Sequence, residues 1–421
     1  MKALRLFFSL AVAVALSMAA TSCGDDKDSD SGKSGDGGSQ GTESGLSESQ
    51  KKEYIDQTGR ELVGKINADD FRTITDLGQY VHDYLTDSKN EVKVVNDFFE
   101  SAFNLCTLEE NKTYVKRLFA MAYFSAQFEY RNGSWVKVGT EQNVLSFSFT
   151  DRNGQPCMAE LTATGDEREM HASFFDTKDW HYDYYAGYYK TTEENHVKVP
   201  SIITLKILQG NAILASINAT LKVPAGEFQY DSDAASTAID ATIMGYRVNL
   251  ESEYNGGKNA AIRLTVSKKG ETLVSANASS NLRLDNNGEF ISAGNANIVI
   301  DVLGKVQAKG TVDDINKVRD LVEGVGRNTS ESEVKSRVEQ VNQQVHLAVY
   351  FDGNDTRQAF IKTYPFYEKH SYYNTWKIEP VICFGDGTSY STFEEFGNDS
   401  RFKELIKKVE QLITDFEHLV K

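Results

Sequence analysis

The residues best suited to chemistry lie in one short stretch, Phe174 to Lys190, which is unusually rich in aromatic side chains. One tryptophan and five tyrosines occur there: Trp180, Tyr182, Tyr184, Tyr185, Tyr188 and Tyr189. Aromatic ring faces can stack on the C–H groups of a sugar, and a nearby carboxylate such as Asp183 can accept hydrogen bonds from its hydroxyls. The same rings can instead pack over one end of a sheet and leave their phenol groups in water. The stretch is therefore a candidate ligand site, with packing as the simpler alternative.

A metal site and the known catalytic motifs are not predicted. His171, His181, Asp183 and His196 lie in or near the aromatic stretch, but their spacing fits no ligand template. Gly37–Gly41 satisfies G-x-S-x-G, yet it lies in a Gly/Ser-rich segment without the strand and helix that a nucleophile elbow requires. The folded region has no HExxH, no CxxC and no dinucleotide-binding glycine run. We therefore expect no metal ion and no cofactor, and the sequence leans against an enzyme.

The N-terminal residues have the organisation of a bacterial export signal. Lys2 and Arg5 precede an apolar run of eleven residues, which is too short to span a bilayer. The small residues Ala20-Thr21-Ser22 stand directly before Cys23, and this arrangement resembles a bacterial lipobox. The resemblance implies that residues 1–22 are a signal peptide and that the Cys23 thiol is acylated, which anchors the protein to a membrane. An ordinary signal peptide followed by a chance cysteine is the alternative.

Residues 23–46 predict a flexible acidic Gly/Ser tether, because they combine acidic side chains with almost no apolar ones. The cluster Gly24-Asp25-Asp26-Lys27-Asp28 beside Cys23 resembles the surface-export signal of lipoproteins from Bacteroidota. This resemblance implies an outer membrane lipoprotein that faces the cell surface. A tether that only keeps the protein solvated is the other interpretation.

Hydrophobic periodicity divides the rest of the chain into three parts of one α+β domain. In residues 47–130 apolar residues recur at spacings of three and four, which predicts helices, the first capped by Ser47. Residues 131–312 alternate polar and apolar side chains between glycine-containing turns, which predicts an antiparallel β-meander. Residues 313–421 predict a helix capped by Ser330, a hairpin and a C-terminal helix. The predicted fold is therefore a set of N-terminal helices packed on a long, curved antiparallel sheet, completed by a C-terminal helix.

A weak internal repeat lies within the meander. Gly210–Ala219 aligns with Gly270–Ala278 at an offset of 60 residues, and each copy has a glycine turn followed by a strand rich in Ala, Ser and Asn. The offset is too long for a propeller blade, so a repeated hairpin in one sheet is the better interpretation. Small side chains at alternate positions let a helix pack closely on the sheet or let the sheet curl.

The cysteines give little further guidance. With Cys23 acylated, Cys106, Cys157 and Cys383 remain, and none of these is at metal-ligand spacing from another. Cys106 lies in an apolar helical stretch, so we expect it to be buried. A disulfide between Cys157 and Cys383 is compatible with an exported protein, but the sequence does not establish it.

Charge and composition narrow the function without fixing it. The chain has 45 basic and 61 acidic side chains, and a net charge of −16 argues against nucleic-acid binding. The first hypothesis is a non-catalytic, lipid-anchored protein that binds a glycan or a protein. The second is a carrier of a lipid or other apolar ligand between sheet and helices, because the predicted build, without any diagnostic residue, resembles LolA-like carriers. The third is an enzyme of unrecognised type.

Overall fold

A computed structural model describes most of the chain that follows the tether. The described residues are 45–86, 93–107, 118–119, 121–171, 181–183, 188–190, 196–224, 229, 231–284, 290–326, 329–369, 374–385, 389–392, 395 and 399–419. Residues 1–44 lie outside this set, and they include the predicted signal peptide, Cys23 and most of the tether. The lipobox therefore stays a prediction.

Most of the described residues belong to strands. The strands are β1 (Ala126–Arg131), β2 (Ser134–Gly139), β3 (Val144–Thr150), β4 (Pro156–His171), β5 (His181–Asp183), β6 (Tyr188–Lys190), β7 (His196–Gln209), β8 (Ala212–Lys222), β9 (Ala234–Ile243), β10 (Tyr246–Asn255), β11 (Asn259–Lys268), β12 (Glu271–Leu284), β13 (Phe290–Val302), β14 (Val306–Val312), β15 (Val345–Phe351), β16 (Arg357–Lys369), β17 (Asn374–Phe384) and β18 (Ser389–Thr392). Sixteen of them form one sheet in the order β18-β17-β16-β15-β14-β13-β12-β11-β10-β9-β8-β7-β4-β3-β1-β2. Only β1 and β3 pair in parallel, so the described sheet is an antiparallel meander for nearly its whole length.

The helices lie before the sheet, within it and after it along the chain. They are α1 (Glu48–Lys65), α2 (Arg72–Tyr80), α3 (Lys93–Thr107), α4 (Ile315–Glu323), α5 (Glu331–Asn342) and α6 (Lys403–Leu419). Ser47 caps α1 through a reciprocal pair of hydrogen bonds with Gln50, at 2.9 and 3.3 Å. Ser330 accepts a hydrogen bond of 3.3 Å from the backbone N–H of Glu333 at the start of α5. Both predicted caps are confirmed.

Tight hairpin turns form one end of the strands, which we call the turn end. In these turns a residue with positive φ precedes a glycine with positive φ, a geometry that follows the natural twist of two antiparallel strands. The turns are Met244-Gly245, Lys269-Gly270, Leu303-Gly304 and Asp352-Gly353. Three of these turns, Lys269-Gly270, Leu303-Gly304 and Asp352-Gly353, were predicted from the sequence. Met244 and Leu303 are bulky residues in a conformation that usually selects Asn or Gly.

Helix α1 runs across the strands at the turn end and makes a polar contact at four successive hairpins. The contacting pairs are Lys65 with Glu271 (2.9 Å), Glu61 with Lys305, Tyr54 with Asp352, and Glu48 with Ser389 (2.9 Å). Adjacent hairpins lie two strands apart, about 10 Å. Successive contacting residues of α1 are four, seven and six positions apart, which corresponds to a rise of about 6–10 Å. Successive contacts along α1 therefore meet successive hairpins of the sheet.

Two hydrophobic cores lie under the helices. The first joins α2 and α3 to strands from β1 to β10, with Leu77, Phe98, Phe147, Leu161 and Leu205 among its buried residues. The second joins α1 and α6 to strands from β10 to β17, with Leu62, Val349, Ile382, Phe402 and Leu405 among its buried residues. Gly59 permits the close approach of α1 and α6, because a Cβ atom there would stand 2.6 Å from Cδ2 of Leu405. The two cores meet at β10, which contributes Val248 to the first and Tyr246 to the second.

The predicted α+β architecture is confirmed: N-terminal helices and a C-terminal helix pack on a long curved antiparallel sheet. One element differs from the expectation. Strand β1 begins at Ala126, inside residues 47–130, which were interpreted as helical. The alternation of Phe128 and Tyr130 with polar residues is a strand pattern, and the positive-φ pair Asn132-Gly133 returns the chain into β2. The pairing of β1 with β3 also makes the sheet mixed at this point.

Candidate ligand-binding site

The strands project unequally at the end opposite the turn end, which we call the loop end. Strand β4 pairs with β7 as far as His171 and His196, although the ladder between β3 and β4 stops at Thr162. We call residues 167–171 and 196–200 the first ribbon. Strand β16 pairs with β17 as far as Lys369 and Asn374, although its ladder with β15 stops at Ile361. We call residues 362–369 and 374–381 the second ribbon.

The predicted aromatic site belongs to the connection that follows the first ribbon. Within this connection β5 and β6 form a short antiparallel hairpin, which places Tyr182 opposite Tyr189 and Asp183 opposite Tyr188. Three of the six predicted site residues, Trp180, Tyr184 and Tyr185, lie outside the described residues. For the other three, Tyr182, Tyr188 and Tyr189, only the backbone is described. A ligand site at these residues stays a prediction, now placed in a connection at the loop end.

The second ribbon carries an aromatic pair that the sequence reasoning missed. Tyr367 and Trp376 are direct cross-strand partners, and their ring centroids lie 4.8 Å apart with an interplanar angle of 53°. Tyr367 is 47% exposed, so about half of its surface is accessible to solvent. The tilted pair forms a short V-shaped aromatic surface beyond the last residue of the β15–β16 ladder.

Charged side chains lie on the opposite face of the ribbon from this aromatic pair, because successive residues of a strand point to opposite faces. Lys377 forms an ion pair with Glu368, and these residues directly follow Trp376 and Tyr367 in their strands. Nearer the body of the sheet, Tyr364 stacks on Tyr390 of β18 with a centroid distance of 4.1 Å. Burial raises the pKa of the Tyr364 phenol, so it stays neutral at physiological pH.

A sequence criterion could have found this second site. Residues 364–376 contain Tyr364, Phe366, Tyr367, Tyr372, Tyr373 and Trp376, which is six aromatic residues in thirteen. The stretch from Phe174 to Lys190 has a similar density of aromatic residues. The hairpin predicted from the sequence ended at Tyr364 and the next predicted strand began at Trp376, so the aromatic residues between them were passed over.

One face of the sheet carries no charged side chain over two consecutive rows, the first of which packs partly against the two cores. The first row, from β9 to β15, is Ile239, Leu250, Leu264, Ala276, Ile300, Ala308 and Val349. The second row, one step nearer the loop end, is Thr237, Ser252, Ile262, Ala278, Ile298, Gly310 and Leu347. Except for the buried Val349, all of these positions are at least partly accessible, and Ile262 is 48% exposed. On the opposite face the intervening row includes Glu251 and Arg263, which form an ion pair at 3.3 Å. We call the two rows the uncharged face.

The His and acidic residues weighed as metal ligands are only partly brought together. The ladder of the first ribbon places His171 directly opposite His196, and His181 lies separately in β5. Within the described part of the chain no group of three or more His, Cys, Asp or Glu side chains is arranged to hold a metal ion.

Burial shifts the pKa of several described titratable groups. Burial raises the pKa of the Asp56 carboxyl, and Arg60 opposes this shift from 2.7 Å away in the same helix. Burial also raises the pKa of both Cys157 and Cys383 to about 11. Neither thiol is in a disulfide, so the pairing left open by the sequence does not form in this structure. Cys106 lies in α3, and its side chain is outside the described part of the structure.

None of the helices in the described ranges combines the length and the apolar character needed to cross a membrane. Comparison with known proteins gives no relative: no family model, no curated protein and no solved structure matches this chain. Function therefore has to be argued from the residues and their arrangement.

Proposed function

We propose that this protein is a lipid-anchored, surface-facing, non-catalytic binding protein that takes a glycan at the aromatic ribbons of its loop end. The observation that carries the proposal is the pair Tyr367 and Trp376, two adjacent rings on a ribbon that projects past its neighbouring strand. A second aromatic-rich segment, which includes β5 and β6, follows the first ribbon at the same end of the sheet.

The chemistry of the pair favours a sugar. A sugar ring has an apolar face of C–H groups, which packs on an aromatic ring, and hydroxyls that need charged or polar partners. The second ribbon supplies the apolar ring faces of Tyr367 and Trp376, and the Tyr367 hydroxyl can donate or accept a hydrogen bond. A protein ligand, the other class considered from sequence, would need a larger continuous contact than this ribbon alone offers.

The position of the predicted anchor supports an orientation in which the loop end, with its aromatic ribbons, faces away from the membrane. The tether leads to α1, whose first residue, Glu48, contacts Ser389 at the turn end. About 20 flexible residues span roughly 25 Å on average, so the turn end would lie near the membrane. The strands that separate the two ends reach 16 residues in β4, or about 50 Å at 3.3 Å per residue. The loop end would then face away from the membrane.

A glycan array tests the binding site. We expect the full chain to bind a subset of glycans, and Tyr367→Ala with Trp376→Ala to weaken that binding about tenfold, the equivalent of about 1.4 kcal/mol. Tyr84→Ala is the matched control, because Tyr84 is also an exposed tyrosine but contacts Arg152, which follows β3 at the turn end. A second variant replaces Trp180 and the five tyrosines from Tyr182 to Tyr189 by Ser and tests the first aromatic segment separately.

The outcomes of this experiment distinguish a glycan ligand from a protein ligand. Loss in the first variant with unchanged binding in Tyr84→Ala supports the proposal. The proposal is overturned if glycan binding survives both in the variant of Tyr367 and Trp376 and in the variant of Trp180 to Tyr189, or if the chain binds no glycan. Capture of a purified surface protein that depends on the same rings would replace the glycan with a protein ligand.

Fractionation of cells tests the anchor. We expect the wild-type chain in the outer membrane fraction and Cys23→Ala in the soluble fraction, because a single Cys carries the predicted acyl groups. External protease should digest the wild-type chain on intact cells if it faces the surface. A Cys23→Ala chain that stays in the membrane would contradict the lipobox interpretation.

A further inference from the structure

A cluster of exposed cations lies at the start of α6. Its members are Arg401, which precedes the helix, and Lys403, Lys407 and Lys408 within it. Glu404 is the single acidic residue between Arg401 and Lys408. The ammonium groups of Lys403 and Lys407 form no ion pair or hydrogen bond with any residue that the structure describes. We call the four cations the basic surface.

This placement of positive charge is unfavourable for the helix itself. The N-terminus of a helix carries a partial positive charge, so cations close to it are destabilising. Lys403 and Lys407 are also four residues apart, a spacing at which like charges on a helix repel one another. An anion held beside these two side chains would relieve both effects.

The basic surface lies where the N-terminal segment of the chain joins the fold. Helices α1 and α6 run parallel, since the contacts between them follow one order along both: Lys52 with Asp399 at 3.6 Å, then Gly59 with Leu405. Glu48, the first residue of α1, is close enough to Arg401 for their charges to interact. Gly45, the first described residue, precedes Glu48 by three positions, so the chain before it leaves the fold next to the basic surface.

The segment that leaves the fold there is acidic. Residues 24–44 contain six acidic side chains and two lysines, a net charge of −4. The last two acids, Asp36 and Glu43, stand nine and two positions before Gly45. Nine extended residues reach about 30 Å, whereas Lys407 lies only about 9 Å beyond Arg401 along the helix. Both carboxylates are therefore within reach of the basic surface.

We propose that residues 36–44 of the tether dock on the basic surface, where Asp36 and Glu43 pair with its lysines. A single exposed ion pair contributes little. The tether, however, is attached to α1 beside the surface, and a short connection gives an effective concentration in the mM range. A separate acidic protein would have to displace this attached segment, so the chain's own tether is the favoured occupant.

Docking shortens the free part of the tether. About 12 residues would remain between Cys23 and the docked segment, and they span roughly 20 Å on average, compared with roughly 25 Å for about 20 residues. The turn end would then be held closer to the membrane. This consequence rests on the proposed anchor at Cys23, whereas the contact between tether and α6 does not.

Carbodiimide cross-linking of the full chain with Cys23→Ala tests the contact, because this reagent joins a carboxylate to an amine without a spacer. We expect peptides in which Asp36 or Glu43 is linked to a lysine of the basic surface. Their yield should fall in about 1 M salt, where the Debye length is about 3 Å. Lys258 is the matched control, because it is also exposed and without an ion pair to any described residue but lies in the β10–β11 turn at the loop end. Cross-links to Lys258 as frequent as those to α6 overturn the proposal.

Labelling of exposed amines by an acetylating reagent provides a second measurement. Asp36→Asn with Glu43→Gln should raise the labelling rate of the basic surface about threefold, as expected for the loss of two weak ion pairs. Asp25→Asn with Asp26→Asn is the matched control, because it removes the same charge at the far end of the segment and should change the rate less. All four positions precede the described fold, so these variants do not disturb its core.

Three outcomes would overturn the proposal. The first is an equal labelling rate in the parent chain and in the variant of Asp36 and Glu43. The second is cross-linking found only in covalent dimers, which assigns the basic surface to a second copy of the chain. The third is protection of its lysines only when vesicles of phosphatidylglycerol are present, which assigns it to an anionic membrane. The ribbons take no part in these measurements, so the glycan proposal stands or falls separately.

Discussion

The side-chain amide of Asn342 takes the place of a missing strand beside Thr363. Its Oδ1 accepts a hydrogen bond of 2.7 Å from the Thr363 backbone N–H, and its Nδ2 donates one of 2.9 Å to the Thr363 carbonyl. The ladder from β15 has ended two residues earlier, at Ile361. Asn316 makes a related contact, because it accepts from the Ala293 N–H at 3.1 Å where the ladder from β14 has already ended. Asparagines from the α4–α5 region thus satisfy strand edges at the loop end.

Removing this amide should loosen the second ribbon. Asn342→Ala leaves a partly buried N–H and C=O of Thr363 without their partners, so we expect the free energy of unfolding to fall by about 1–3 kcal/mol. Urea titration followed by circular dichroism measures the change. The neighbouring Gln343→Ala is the control, since Gln343 is exposed and its replacement should cost less than about 0.5 kcal/mol. Equal effects of the two substitutions would show that the amide does not support the ribbon.

Acid should weaken the junction between α1 and the sheet through Asp70. Burial alone would raise the pKa of this carboxyl, but hydrogen bonds of 2.7 Å from Lys268 and from Tyr246 outweigh it and hold the pKa below its ordinary value of 3.8. A carboxyl with a lowered pKa in the folded state stabilises the fold above the ordinary value, and the contribution disappears as pH falls through the folded-state pKa. Asp70→Asn should therefore be less stable than wild type at pH 7, with a difference that shrinks below pH 3.8.

Urea unfolding across this pH range measures that difference. Asp69→Asn is the control, because Asp69 pairs with Arg72 on the surface and exposed pairs contribute little. A difference between Asp70→Asn and wild type that stays constant down to the acid limit would contradict the assignment of Asp70.

Cys157 and Cys383 should be unreactive and unbridged in the folded protein. Burial raises the pKa of each thiol to about 11, so both are protonated at pH 8, and neither is accessible to a reagent. Brief iodoacetamide treatment at pH 8 followed by peptide mass spectrometry should find both unmodified, and modification should appear after unfolding in urea. A Cys157–Cys383 peptide in a non-reduced digest would contradict the structure.

The Lys269-Gly270 turn should respond to backbone conformation alone. Gly270 has a φ of 82°, and a Cβ atom added there meets no neighbour within 4 Å. Gly270→Ala should therefore cost about 1–2 kcal/mol from the left-handed conformation and nothing from steric contact. Gly64→Ala in α1 is the matched control, because its Cβ also meets nothing but its backbone is helical. That substitution should raise stability by about 0.5–1 kcal/mol.

Thermal unfolding of the two alanine variants provides the comparison. Opposite signs of the shift in Tm are expected for Gly270→Ala and Gly64→Ala. Shifts of the same sign would mean that loss of flexibility in the unfolded chain, and not the local φ, decides the effect at these glycines.

The sequence by itself determined the elements that depend on neighbours a few residues apart. Alternation of polar and apolar residues is a local property, so it was enough to predict the meander and, through turns such as Lys269-Gly270, the positions where strands reverse. Capping depends on residues three apart, so Ser47 and Ser330 were predicted correctly. The strand β1 was missed because a short aromatic alternation after a helical region resembles a continuing helix.

Only the tertiary structure decided which distant residues meet. Local sequence does not specify how far each strand outreaches its neighbour, and that difference in length creates the ribbon on which Tyr367 and Trp376 face one another. The uncharged face likewise depends on register, because a shift of one residue in β12 would turn Asn277 toward this face in place of Ala278. Register is fixed by the packing of buried side chains such as Val274 in the second core, which single-strand patterns do not contain. The sequence therefore determined which residues share a face of each strand. The packing of the sheet decided which of those faces lie side by side in one surface.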